Sequence, residues 1–125
     1  MTKQSIAIIG LQALGTQFLV AMVNLKNKGV DVLGVSETKY TEGTKIAEDN
    51  GISNLTIEQV VEMGDEVDII FDLSGNKDIR KELRKTLFSS DNQHTVIAPE
   101  SVAHLMYAMI DDKPLPTSNS DIRGY

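Results

Sequence analysis

The segment Ile6-Ala7-Ile8-Ile9-Gly10-Leu11-Gln12-Ala13-Leu14-Gly15 decides the fold. Four consecutive apolar residues predict a short buried strand, and the glycine directly after them predicts a tight turn. Apolar residues at three- and four-residue steps then predict a helix over residues 11–27. A strand that passes through a glycine turn straight into a helix is typical of a parallel α/β sheet.

Strands and helices alternate along the rest of the chain. The predicted strands are residues 5–9, 30–35, 52–55, 67–73 and 94–98. The predicted helices are residues 11–27, 44–50, 57–63, 77–88 and 99–110, with Thr56 and Asn76 as caps of the third and fourth. This alternation predicts an α/β, Rossmann-like fold: a parallel sheet of order 3-2-1-4-5 with helices on both faces, in three layers.

Composition narrows the possible classes of function. The 125 residues carry a formal net charge of −6, so the chain lacks the cationic excess of a general nucleic-acid-binding protein. No segment approaches the ~20 apolar residues of a membrane-spanning helix, and no apolar signal segment precedes the first strand. With no cysteine, disulfides and thiolate metal sites are excluded. We expect a cytoplasmic protein with neither nucleic acid nor membrane as its partner.

The chain length fits one domain. We assign residues 1–110 to the Rossmann-like domain and residues 111–125 to a polar tail, because that last stretch contains two prolines and few apolar residues. The helix ending at residue 110 carries more apolar residues than one buried face requires. We therefore expect a homodimer through this helix.

The turn after the first strand is a candidate dinucleotide site. A Rossmann fingerprint, GxGxxG, uses its glycines for the turn, the approach of the pyrophosphate and helix packing. Gly10 and Gly15 fill the first and third places, and Gln12 takes the second. A side chain there projects where the phosphate lies, which indicates a shifted dinucleotide, another phosphate ligand, a lost ligand, or a glutamine that itself bonds the ligand. The candidate residues are Gly10, Leu11, Gln12, Ala13, Leu14 and Gly15.

Two more loops complete the predicted site. Glu37 follows the second strand, 22 residues after Gly15, where an acid bonds the adenine ribose of NAD and repels the 2′-phosphate of NADP. We predict NAD rather than NADP, with Ser36 and Glu37 as ligands. The loop after the fourth predicted strand adds Leu73, Ser74 and Gly75, of which Ser74 supplies hydrogen bonds and Gly75 a close backbone approach. The alternatives are a solvated Glu37 and an ordinary Asn-capped helix.

These three segments carry a family resemblance. IAIIGLQALG (6–15), VLGVSE (32–37) and VDIIFDLSGN (67–76) resemble the N-terminal NAD(P)-binding Rossmann domain of homoserine dehydrogenase-like and glucose-fructose oxidoreductase-like proteins. The resemblance covers residues 4–110 and implies a dinucleotide cofactor. Two features depart from it: Gln12 replaces the middle glycine, and the catalytic α+β domain of those dehydrogenases is missing.

Three functions follow from this interpretation. The first is a lone NAD(H)-binding domain with a sensing or regulatory role, and no catalytic residue is assigned. The second is a fragment or subunit of an NAD-dependent oxidoreductase whose substrate region lies elsewhere, since hydride transfer also needs a positioned substrate. The third is a degenerate Rossmann scaffold for protein–protein contacts, which Gln12 favours. No metal site is predicted, because His94 and His104 are not spaced as ligands.

Overall fold

Parallel strands and α-helices alternate along the residues that the computed structural model describes, 3–110 and 115–116. The strands are β1 (Gln4–Ile9), β2 (Val30–Ser36), β3 (Ile69–Asp72) and β4 (Val96–Ala98). The helices are α1 (Ala13–Val23), α2 (Glu42–Asp49), α3 (Ile57–Glu62), α4 (Lys77–Ser89) and α5 (Glu100–Ile110). The strands pair in parallel, so the predicted α/β class with a parallel sheet is confirmed.

Within the described residues the sheet has four strands in the order β2-β1-β3-β4, so the predicted order 3-2-1-4-5 is wrong. The segment 52–55, predicted as a third strand, makes a single parallel bridge between Asn54 and Val35. Its two central residues, Ser53 and Asn54, are polar and have little tendency to extend a ladder. Because β1 lies between β2 and β3, the carboxyl ends of these three strands meet at one edge of the sheet.

Side chains of β1 alternate between two hydrophobic clusters. Ile6 and Ile8 share a cluster with residues of α1 and α5, whereas Ala7 and Ile9 share one with residues of α3 and α4. Successive strand residues point to opposite faces, so helices cover both faces of β1. The predicted three layers stay a prediction. In the first cluster Phe18 and Phe71 are fully buried, with ring centroids 4.7 Å apart.

Local capping signals set where several helices begin. The Thr56 hydroxyl accepts a hydrogen bond from the Gln59 N–H (3.1 Å), and Gln59 Oε1 accepts one from the Thr56 N–H (2.9 Å). This reciprocal pair confirms the predicted cap of α3. Asn76 likewise accepts hydrogen bonds from two N–H groups of the first turn of α4. Helix α1 is shorter than predicted, because the chain is still in the turn at Gln12 and a separate 3₁₀ helix forms over Lys26–Lys28.

The predicted tail, residues 111–125, lies outside the described residues except for Leu115 and Pro116. Leu115 is buried in the cluster that contains Phe18. The domain boundary at residue 110 stays a prediction. Among the described residues, no helix combines the length and apolar character needed to cross a membrane.

Asp68 joins three segments at the end of the sheet where β3 begins. One carboxylate oxygen accepts a hydrogen bond from the Ser5 N–H (2.8 Å), and the other lies 2.7 Å from Nε2 of His94. The Ser5 N–H bond, followed by the His94 contact, holds the pKa of Asp68 below its ordinary value of 3.8. The ionised carboxylate therefore stabilises the folded state.

The sign of this pKa shift predicts acid sensitivity. A carboxyl group whose pKa is lower in the folded state stabilises the fold above pH 3.8 and loses that contribution as the pH falls towards the folded-state pKa. We expect the urea midpoint of the wild type to fall more steeply below pH 4 than that of Asp68→Asn. Asp65→Asn, at an exposed position, is the control. Parallel pH profiles for the wild type and Asp68→Asn would contradict the prediction.

Candidate functional site

A cleft of about 660 Å³ opens at the edge where the carboxyl ends of β1, β2 and β3 meet. Its walls come from the turn after β1, the loop after β2, the segment 54–59 and the start of α4. In an open parallel sheet this crevice is where ligands bind. Six of the residues predicted as ligands line it: Gly10, Gln12, Ser36, Glu37, Leu73 and Ser74.

Steric limits explain two glycines of the turn. Gly10 has a φ of +93°, and a Cβ there would lie 2.7 Å from the backbone N and Cα of Ser74. A Cβ on Gly15 would collide with the carbonyl oxygen of Gly10. The first glycine therefore allows the turn and residues 73–76, the β3–α4 loop, to approach closely through their backbones, and the third allows α1 to pack against the turn.

The backbone conformation at the second place of the fingerprint does not require glycine. Gln12 has a φ of −84° and a ψ of −155°, an extended conformation open to any residue, and it is the N-cap of α1. Its side chain makes no capping hydrogen bond. Gln12 and Ala13 are exposed, whereas Leu11 and Leu14 are buried. Both leucines belong to the core cluster of Phe18, so their side chains are not presented to a ligand.

Glu37 holds the glycine turn directly. Its Oε1 accepts a hydrogen bond from the Leu11 N–H (2.8 Å), and its Oε2 accepts one from the Lys39 N–H (3.1 Å). The backbone of Glu37 is fixed by the Asn54 side chain, which accepts from its N–H (3.0 Å) and donates to its carbonyl (2.9 Å). The predicted acid thus lies in the same cleft as the turn, attached to the turn's own backbone.

Threonines hold the carbonyl group of the same residue, Leu11. The hydroxyls of Thr41 (2.7 Å) and Thr16 (3.0 Å) both donate to the Leu11 carbonyl oxygen. Thr41 also caps α2 reciprocally with Thr44. Residues 37–41, which we name the β2–α2 loop, therefore bind the turn at both the N–H and the carbonyl of Leu11.

The β3–α4 loop forms the third wall. Buried Asp72 accepts hydrogen bonds from the Ser74 N–H (3.1 Å) and the Ser74 hydroxyl (2.7 Å). The Ser74 hydroxyl in turn accepts from the Asn76 N–H (3.2 Å). Gly75 has a φ of +62° and is not among the residues that line the cleft. Ser74 thus lines the cleft while its hydroxyl both donates and accepts a hydrogen bond within the loop.

Sequence reasoning missed Asn54 and Thr41 as parts of the site. Thr41 had a local signal, since a threonine three residues before Thr44 can cap a helix. Asn54 had none, because its partner lies 17 residues earlier in the chain. Within 3–110 and 115–116, no group of three or more His, Asp or Glu side chains could hold a metal ion.

Comparisons with known proteins agree with this fold. The model of the family described as "Acetohydroxy acid isomeroreductase, NADPH-binding domain" matches residues 1–92. A search of curated proteins finds no significant match. The resemblance to the N-terminal region of homoserine dehydrogenases is confirmed by solved structures.

Homoserine dehydrogenase from S. aureus at pH 8.5 superposes with a TM-score of 0.57 at 15% identity, covering 90% of this chain and 29% of that one. The enzyme from Thiobacillus denitrificans gives 0.56 at 19% identity, covering 86% of this chain and 26% of that one. At such identities the likeness shows the fold alone, and the chain spans less than a third of either protein. By its family match, the chain belongs to the acetohydroxy acid isomeroreductase NADPH-binding domain family, with a Rossmann-type fold.

Proposed function

We propose that the chain binds an NAD(P) dinucleotide in the cleft at the carboxyl ends of β1, β2 and β3. The observation that carries this proposal is the contact between Glu37 and Leu11, because it joins the ribose-binding position and the glycine turn in one cleft. The pyrophosphate lies at the N-terminus of α1, whose first turn contains no acidic residue. The adenosine ribose lies beside Glu37, and Ser74 faces the middle of the ligand.

We further propose NAD(H) as the preferred cofactor. The Glu37 carboxylate repels the 2′-phosphate of NADP(H). It cannot move away from that phosphate without breaking the hydrogen bonds that it accepts from the Leu11 and Lys39 N–H groups. NADP(H) is the second candidate, because the family is described as NADPH-binding and the exposed side chain of Lys39 can pair with a 2′-phosphate.

We propose a sensing or regulatory role for this binding. A ligand bound at the turn perturbs the hydrogen bonds that link the β2–α2 loop to Leu11. Occupancy of the cleft therefore alters how this loop is attached to the turn. The likeness to homoserine dehydrogenases supports the oxidoreductase alternative. Exposed apolar residues on α5 support the scaffold alternative.

Thermal unfolding with NAD, NADH, NADP and NADPH tests the cofactor. A ligand held only by the native state adds about 2.7 kcal/mol of stability at a hundred times its Kd. For a domain of this size we expect the midpoint to rise by about 10 °C. Lys39→Ala is expected to lower the shift with NADP and NADPH while leaving that with NAD and NADH intact. No shift with any dinucleotide would favour the scaffold, and NADH oxidation with a small carbonyl compound would favour the oxidoreductase.

We also propose a homodimer through α5. Leu105 and Met109 are 65% and 73% exposed and lie one turn apart on α5, and a contiguous exposed apolar patch marks an interaction surface. Val102 and Ile110 extend the same exposed apolar surface. Sedimentation velocity at micromolar concentration measures the oligomeric state directly, and a monomer would contradict the proposed homodimer.

A further inference from the structure

We propose that the outer face of α4 binds an acidic segment of a partner protein. A groove of about 570 Å³ lies along this face. It is lined by five cationic residues and one aromatic residue: Lys77, Arg80, Lys81, Arg84, Lys85 and Phe88. These residues recur at steps of three and four, so they form one stripe along the helix, which we name the basic stripe. None of these six residues lines the cleft, so the basic stripe is separate from the proposed dinucleotide site.

The opposite face of α4 is covered by the core. Leu83 is fully buried in the cluster that contains residues of α3, and the partly buried Ile79 and Leu87 pack against that cluster. An interfacial helix must instead lay its apolar face into the membrane. The apolar face of α4 is already occupied, so the helix offers a partner its charges and the ring of Phe88.

The fold does not neutralise the lysines of the basic stripe. Within residues 3–110 and 115–116, Lys77, Lys81 and Lys85 form no ion pair, whereas Arg80 and Arg84 take part in other interactions. The three lysines follow one another at four-residue steps, where like charges on a helix repel. Lys77 also lies in the first turn of α4, where the helix dipole disfavours a cation. Carboxylates bound along the stripe would relieve both effects.

The charge around the basic stripe favours a protein segment over nucleic acid. The chain has a formal net charge of −6, and the neighbouring helix α3 carries the exposed Glu58 and Glu62. A long polyanion crossing α4 would meet this negative charge, whereas nucleic-acid-binding surfaces are broadly cationic. Helix α4 has 13 residues and is therefore about 20 Å long. That length matches about six residues of an extended peptide.

Phe88 gives the basic stripe an apolar end. Its side chain is 89% exposed, and it lies in the last turn of α4, next to Arg84 and Lys85 in the groove. An aromatic ring among cations can pack against a large apolar side chain of a partner while the cations bind the carboxylates around it. The segment that fits is therefore acidic and contains one large apolar residue.

Fluorescence anisotropy of the full chain with the labelled peptide Glu-Glu-Glu-Phe-Glu-Glu-Glu tests this surface. We expect saturable binding below about 100 μM at about 50 mM salt, lost at about 500 mM salt because exposed charges are screened. The same peptide with glutamine in place of glutamate is not expected to bind. Lys81→Glu reverses the central charge of the stripe and should weaken binding about tenfold, and Phe88→Ala about fivefold.

Lys45→Glu is the matched control for Lys81→Glu. It makes the same change in net charge at an exposed position of α2 outside the groove, and it should leave peptide binding unchanged. Thermal unfolding checks the fold of both variants. Lys81→Glu is expected to keep or raise the midpoint, because it removes the repulsion from Lys77 and Lys85.

Three results would overturn the inference. They are a wild-type protein that does not bind the acidic peptide, an equal loss of binding in Lys45→Glu, and tighter binding to another anion than to the peptide. Oligothymidylate and phosphatidylserine vesicles are the other anions, and they would assign the basic stripe to nucleic acid or to a membrane. Dinucleotide binding should be unchanged in Lys81→Glu, so the proposed function and this inference are tested separately.

Discussion

Gly15→Ala is expected to destabilise the fold by about 3–5 kcal/mol. The new Cβ would collide with the carbonyl oxygen of Gly10, and neither backbone can yield without opening the turn. Alanine at a helical position otherwise stabilises by up to about 1 kcal/mol, so the sign of the effect is informative. Thermal unfolding should show a midpoint lowered by more than about 10 °C.

Gly51→Ala is the control for this substitution. A Cβ on Gly51 meets no heavy atom within 4 Å, but its φ is +71°, so alanine there tests backbone strain without collision. We expect a loss of about 1–2 kcal/mol. A Gly15→Ala variant as stable as the wild type would show that α1 can move away from the turn, contrary to the packing described above.

Glu37→Ala is expected to lose about 2–3 kcal/mol of stability and to weaken NADH binding about tenfold or more. It removes two hydrogen bonds from backbone N–H groups to a carboxylate, each worth about 1.5–3 kcal/mol when well desolvated and less at this half-exposed position. The same change removes the charge that opposes a 2′-phosphate, so the preference should move towards NADPH. Urea unfolding and calorimetry with both cofactors measure these effects.

Two variants separate the loss of the hydrogen bonds from the loss of the negative charge. Glu37→Gln keeps an acceptor for the Leu11 N–H and should retain about half of the stability that Glu37→Ala loses, with the preference for NADPH still increased. Glu48→Ala removes one charge from an exposed position on α2 and should stay within about 0.5 kcal/mol of the wild type. If Glu37→Ala kept full stability, the carboxylate would not hold the turn in solution.

The parts of the fold that could be predicted from sequence are those with local signals. The β1–turn–α1 unit follows from an apolar run and a glycine, and the caps at Thr56 and Asn76 follow from side chains three residues or fewer from their partners. The segment 52–55 resembled a strand because of its terminal apolar residues, yet Asn54 directs its amide to Glu37 rather than extending a ladder.

The position of the site could be predicted from the sequence, but the hydrogen bonds that join its parts could not. Spacing placed Glu37 beside the turn, because an acid after the second strand of a Rossmann unit faces the first. Its bond to Leu11 spans 26 residues, and no periodicity shows which backbone amide a distant carboxylate will meet. The conformation of Gln12 was equally hidden, since a glycine position in a fingerprint does not reveal whether this backbone needs glycine.

The backbone contact between Gly10 and Ser74 has a mechanical consequence. At this point the two loops meet without an intervening side chain, so no rotamer can absorb a displacement of one against the other. Pressing the turn towards Ser74 therefore displaces Ser74, and the Ser74–Asn76 hydrogen bond passes that displacement to the cap of α4. A load on the floor of the cleft is thereby transmitted to the start of α4.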